Sequence, residues 1–103
     1  MNTPESIRIA LKQIARTERE IAGYERSLKI HEAAALLKAN ERKELKNAES
    51  RQAGVILALA NEPDYQEELS HLDELRLQLA NQKAEVEYHR SVLRIEIAQM
   101  KGE

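Results

Sequence analysis

The stretch ANERKELKNAESRQ, residues 39–52, decides how this chain folds. Leu45 and Ala48 are its only internal apolar points, and the pattern on either side is denser. It contains no Pro and no Gly, so Asn40 and Asn47 are the residues in it that favour a bend. A helix running straight through would have an exposed middle between two packed ends. With no strong breaker present, the composition predicts a continuous first helix from about residue 4 to about residue 60, roughly 80 Å long at 1.5 Å per residue. The alternative is a break near Asn40 that folds the chain into a three-helix bundle.

Upstream, Thr3-Pro4-Glu5-Ser6 reads as a helix start, with Thr3 as the cap and Pro4 in the first helical position. Ile7, Ile14, Ile21, Leu28 and Ala35 then recur every seven residues. Ala10, Thr17, Tyr24 and His31 follow three residues after the first four of them, and Leu11 widens the stripe. This is a heptad seam with an apolar a row and a polar d row.

Downstream, GVILALANEPDYQEEL (residues 54–69) places the most apolar run, Val55–Ala60, beside Asn61-Glu62-Pro63-Asp64. Pro63 disfavours a helical Glu62, so the first helix is expected to end by about Asn61, with a turn at 61–64. Asp64 with Glu67 three residues on has capping-box spacing. The second helix is expected over about 64–101, where Gly102 suits the end. Tyr65, Leu72, Leu79, Val86, Leu93 and Met100 repeat every seven residues, thickened by Leu69, Leu75 and Ile97. A seven-residue period of that length predicts a left-handed supercoil with a partner helix.

Two long helices on a short connection are antiparallel neighbours. A turn at residue 62 sets Tyr65 near Leu59, Leu72 near Gln52, Leu79 near Leu45 and Leu93 near His31. Roughly the first twenty residues then overhang, although they carry Ile7, Leu11, Ile14 and Ile21. An apolar overhang needs cover. The fold expected is therefore an all-α antiparallel two-helix hairpin, a coiled coil that dimerises into a four-helix assembly. Its contact residues would be Ile7, Leu11, Ile14, Ile21, Val55, Ile56, Leu59, Tyr65 and Leu69.

Composition agrees with helices. The 103 residues fit one domain, 1–103, with net charge −2, 33% charged residues and 3% aromatics, all Tyr. Residues 1–60 hold eleven Lys or Arg against eight Glu, and residues 61–103 hold five against ten Asp or Glu. Opposite charge on the two arms favours pairing them with each other. Zero Cys removes disulfides, thiolate catalysis and cysteine-based zinc sites. No stretch approaches a membrane span, and the N-terminus lacks a signal-peptide pattern. The localisation expected is cytoplasmic.

Chemistry-bearing patterns are few. Glu68-Leu69-Ser70-His71 is an E-x-x-H, which puts two ligands on one helical face in di-iron carboxylate bundles, but such a site needs two copies plus two further Glu. His89 has Glu85 four residues before it, an ordinary helical pair. His31 and His89 fall where they would hydrogen-bond across a seam. No Ser lies in a nucleophile elbow, and three scattered Gly build no phosphate loop. No catalytic residue, metal or cofactor is assigned.

Arg8, Lys12, Arg16 and Arg19 form a basic stripe near i,i+4 spacing, which could track phosphates. A long hairpin of this kind resembles in outline the helical arm of seryl-tRNA synthetases, an arm that contacts RNA. Interleaved Glu, the net acidity and the lack of stacking aromatics weigh against nucleic acid. The function expected is that of a non-enzymatic structural or adaptor protein acting through protein–protein contact. Nucleic-acid association through the stripe, or metal binding at Glu68 and His71, are the alternatives.

Overall fold

The computed structural model describes residues 3–42 and 44–102. Among them are three helices and no strand: α1 Thr3–Glu41, α2 Ala48–Ala60 and α3 Pro63–Gly102. The all-α class is as expected. The continuous first helix is not: α1 stops at Glu41, where the alternative had placed a break.

The cause is the missing apolar row. A helix of this length is held by burying one face, not by propensity alone. Past Glu41 and before Ala48 the sequence offers only Leu45 to bury, so the absence of Pro and Gly does not keep the described residues there helical. The Arg42 N–H closes a last turn onto the Ala39 carbonyl (3.3 Å), and the Leu45 N–H bonds the Arg42 carbonyl (3.3 Å). Asn47 then starts α2. Its side chain accepts the Ser50 N–H at 2.7 Å, and the Ser50 hydroxyl accepts the Asn47 N–H at 3.3 Å, a reciprocal capping box.

The packing falls into two compact units, Ile21–Glu74 and the described residues up to Glu20 with those from Leu75 on. In the first, the chain reverses between α1 and α2 and not at 61–64. Near the reversal, Leu36 and Asn40 of α1 share a groove with Ala48 and Val55 of α2. Further along, His31 meets Glu62, Ser27 donates to Glu68 (2.8 Å), and the Tyr24 ring stacks on His71 with centroids 5.8 Å apart. Rising numbers on the return arm thus meet falling numbers on α1. So α2 and the start of α3 run in the same sense, both antiparallel to α1, and succeed one another along it. They do not form the three-helix bundle of the alternative. The expected pairing of Tyr65 with Leu59 is likewise replaced: the Tyr65 hydroxyl donates to Glu32 at 2.9 Å.

Asn61-Glu62-Pro63 is a kink inside the return arm. The Asn61 N–H reaches the Leu57 and Ala58 carbonyls (3.2 and 3.3 Å), and the Glu62 N–H reaches Leu59 (3.2 Å). Pro63 takes the first position of α3, where its missing N–H is an orphan anyway. Asp64 therefore lies in the first turn and is not the cap. The buried residues of this unit are Ile21, Leu28, Ala35, Ala39, Leu59 and Leu72.

In the second unit, Ala10, Ile14 and Val86 form a buried cluster with Leu79 packed against it. Thr17 is buried and its hydroxyl donates back to the Gln13 carbonyl at 3.1 Å. The Thr3 hydroxyl donates to Glu96 at 3.1 Å, so Thr3 is a helical residue holding α3 and not the expected cap. Ala10 and Ile14 near the start of α1 are therefore covered by Val86 and Leu79 of the same chain, while Leu11 stays exposed. The overhang that called for a second chain does not exist.

Candidate functional site

The heptad rows are buried over their middle and exposed at the end of α3. On α1, Ile14, Ile21, Leu28 and Ala35 are buried and Ile7 is half-buried; on α3, Leu72 and Val86 are buried and Met100 is exposed. What the seam leaves over is more informative. From Ala33 to Ala39, α1 is apolar on nearly every face, and so is α2 from Val55 to Ala60. One antiparallel partner covers only one face of each.

Leu37 and Leu57 stay exposed on outer faces, and part of the uncovered remainder is an open groove of about 620 Å³ between α1 and α2. Glu32, Leu36 and Asn40 line it from α1, and Ala48, Arg51, Gln52, Val55, Ile56 and Leu59 from α2. Leu59 forms the floor at 8% exposure, whereas Leu36 and Ile56 stand on the walls at 49% and 61%. The two charged lining residues have opposite sign and lie at opposite ends. Asn40 and Ala48 mark the end nearest the reversal, with Arg51 one turn from it. Glu32 lies eight residues, about 12 Å, from Asn40 along α1. The Arg51 Nε donates to the Asn47 carbonyl at 3.3 Å, and Glu32 receives the Tyr65 hydroxyl.

A polar cluster fastens the kink to α1. His31 contacts Glu62 through Nδ1 (2.5 Å) and lies 3.5 Å from Glu68 through Nε2. The Tyr65 ring meets His31 edge-on at 6.0 Å. Burial pushes the Tyr65 phenol above its ordinary pKa, and the neighbouring carboxylates of Glu32 and Glu62 add to the rise. His31 thus reaches across the seam as expected, while His89 lies 3.6 Å from Glu85 on its own helix.

The E-x-x-H splits between different partners. Glu68 turns to Ser27 and His31, while His71 stacks on Tyr24 and lies 3.7 Å from Glu67. Among the described residues no three His, Asp or Glu are grouped so as to hold a metal ion. No described helix is long and apolar enough to cross a membrane.

The basic stripe lies in the other unit. Arg8, Lys12, Arg16 and Arg19 are all exposed, on the face of α1 opposite Ala10, Ile14 and Thr17. Arg8 is engaged by Glu5 in a bond that lowers the Glu5 pKa and raises that of Arg8.

No protein-family model, curated protein or solved structure matches this chain. The expected contact residues are dispersed. Val55, Ile56 and Leu59 come together in the groove, while Tyr65 and Leu69 are half-buried in the first turns of α3. Ile21 is buried in the same unit, and Ile7, Leu11 and Ile14 belong to the other. Glu32, Leu36 and Arg51 were not anticipated. The signal for Leu36 was present: apart from Lys38, AAALLKA is apolar all round as VILALA is, and two such runs flanking one break mark a hairpin end.

Proposed function

We propose that this chain is a non-enzymatic structural or adaptor protein of coiled-coil type, acting in the cytoplasm by docking a protein surface into the α1–α2 groove. The observation that carries this is the groove itself: its floor is buried within the chain, while Leu36 and Ile56 remain largely exposed on its walls. Exposed contiguous apolar surface of this kind marks an interaction site. A two-helix groove is also a recurrent receptor for helical partners.

Ile56→Asp tests it. The variant should keep the wild-type helical content, because Ile56 is largely exposed, and should lose association with protein from the native host. Unchanged association would refute the docking role of the groove.

The exposed face carrying Arg8, Lys12, Arg16 and Arg19 favours a second reading, nucleic-acid association. Salt-dependent retention on heparin, weakened by Lys12→Glu with Arg16→Glu, would support it. No retention at low salt would end it.

A further inference from the structure

We infer that the occupant of the groove is a second copy of this chain, seated antiparallel about a two-fold axis through the middle of the groove. The inference rests on the docking reading above and names its partner. It is argued from charge and from the exposed apolar walls. The groove carries an acid, Glu32, at the kink end and a base, Arg51, at the reversal end, with apolar Leu36, Val55 and Ile56 between them.

Such a pattern is self-complementary under one operation. A two-fold axis crossing the helices at the groove centre exchanges its ends. Glu32 of each copy then lies at the level of Arg51 of the other, twice over. An isologous interface has this property by symmetry: if one residue meets a second, the second meets the first. A copy placed parallel would instead put each acid beside the other copy's acid end. Neither side chain is spent within the chain: Arg51 uses only Nε on Asn47, and Glu32 accepts from Tyr65 through Oε1 alone among its hydrogen bonds.

The apolar walls lack cover within the chain: Leu36 is 49% and Ile56 61% exposed. Two stacked α1–α2 faces make a four-helix arrangement in which Leu36 and Ile56 gain the cover they lack. Leu36 lies midway between Glu32 and Asn40, close to the axis, and so meets its own copy.

Charge exchange and one thiol test this on the full chain. Light scattering over a range of concentrations should give twice 11.8 kDa. Glu32→Arg and Arg51→Glu should each weaken the dimer by about tenfold or more, since each sets two like-charged pairs face to face. The double variant should restore it, which a merely structural role of either residue would not. The sequence has no Cys, so Leu36→Cys supplies a single thiol that should form a disulfide-linked dimer on oxidation. Circular dichroism on every variant separates lost association from lost folding.

A mass of 11.8 kDa at all concentrations overturns the inference, as does a dimer indifferent to both charge reversals. If the wild type is monomeric while Ile56→Asp abolishes capture of another protein, the second copy falls and the docking reading stands. If Ile56→Asp changes neither mass nor capture, both fall.

Discussion

The phenol of Tyr65 ties the start of α3 to α1: it donates to Glu32, its ring packs edge-on to His31, and it sits two residues after Pro63. Its pKa is raised by burial first, then by the bond to Glu32 and the charges of Glu32 and Glu62. A raised acid means that the folded state favours the protonated phenol. That stability is complete below the unfolded phenol's pKa of about 10 and is lost as pH rises through the higher folded value. The urea midpoint should therefore fall on the alkaline side of about pH 10, and Tyr65→Phe should flatten that fall. An equal fall in Tyr65→Phe would assign it to other groups. Leu59 and Ile56 make a second contrast at this scale. Leu59→Asp buries a charge without a partner and should cost more than about 3 kcal/mol, enough to unfold much of the protein. Ile56→Asp, three residues away on an exposed wall, should stay within about 0.5 kcal/mol in dilute solution. Similar melting temperatures for the two variants would contradict the placement of Leu59 on the groove floor.

At the scale of elements, α2 is the vulnerable one. Its 13 residues are near the limit below which an isolated helix is marginal in water. It is held by Leu59, by the Gln66 side-chain amide donating to the Leu59 carbonyl at 3.0 Å, and by the Asn47 cap. Asn47→Ala removes that cap and should cost about 1 kcal/mol. Hydrogen exchange should quicken most in the first turn of α2, and an increase spread evenly over α1 and α3 would show that Asn47 does not act locally. The same helix shows what was legible in the sequence. The seven-residue rows of α1 and α3 could be read from spacing, because burial repeats with the helix, and Leu28, Leu72 and Val86 are buried as the rows require. The reversal was harder to read. Pro63 is the strongest local punctuation in the chain, but it fits the first turn of a helix as well as it fits a hairpin corner. The actual corner between α1 and α2 is marked by a gap in the apolar pattern and by Asn47-Ala48-Glu49-Ser50, an Asn cap with a hydroxyl three residues on. The inconsistency of an apolar overhang at Ile7–Ile21 was the sequence's own indication that the corner lay earlier. The groove followed only once the two all-round apolar runs faced each other.

For the whole molecule, the inventory of buried residues bears on how it is stabilised. The buried apolar set is led by Ile14, Ile21, Leu28, Leu59, Leu72 and Val86, several of the rest are Ala, and no large side chain among the described residues falls below 2% exposure. A small chain with so thin a core has little stability to spare. Association that buries Leu36 and Ile56 then adds to folding stability by mass action. The melting temperature should accordingly rise by a few degrees for each tenfold rise in protein concentration, given how steeply small domains respond to about 1 kcal/mol. The dependence should move to higher protein concentration in Ile56→Asp and in Glu32→Arg, and return to the wild-type range in the Glu32→Arg, Arg51→Glu pair. A wild-type melting temperature independent of concentration would mean that the seam between α1 and the return arm is sufficient by itself. The exposed walls of the groove would then be kept for a partner that binds without adding to the stability of this fold. Which of the two holds is read from one set of melting curves, because only self-association makes stability depend on the chain's own concentration.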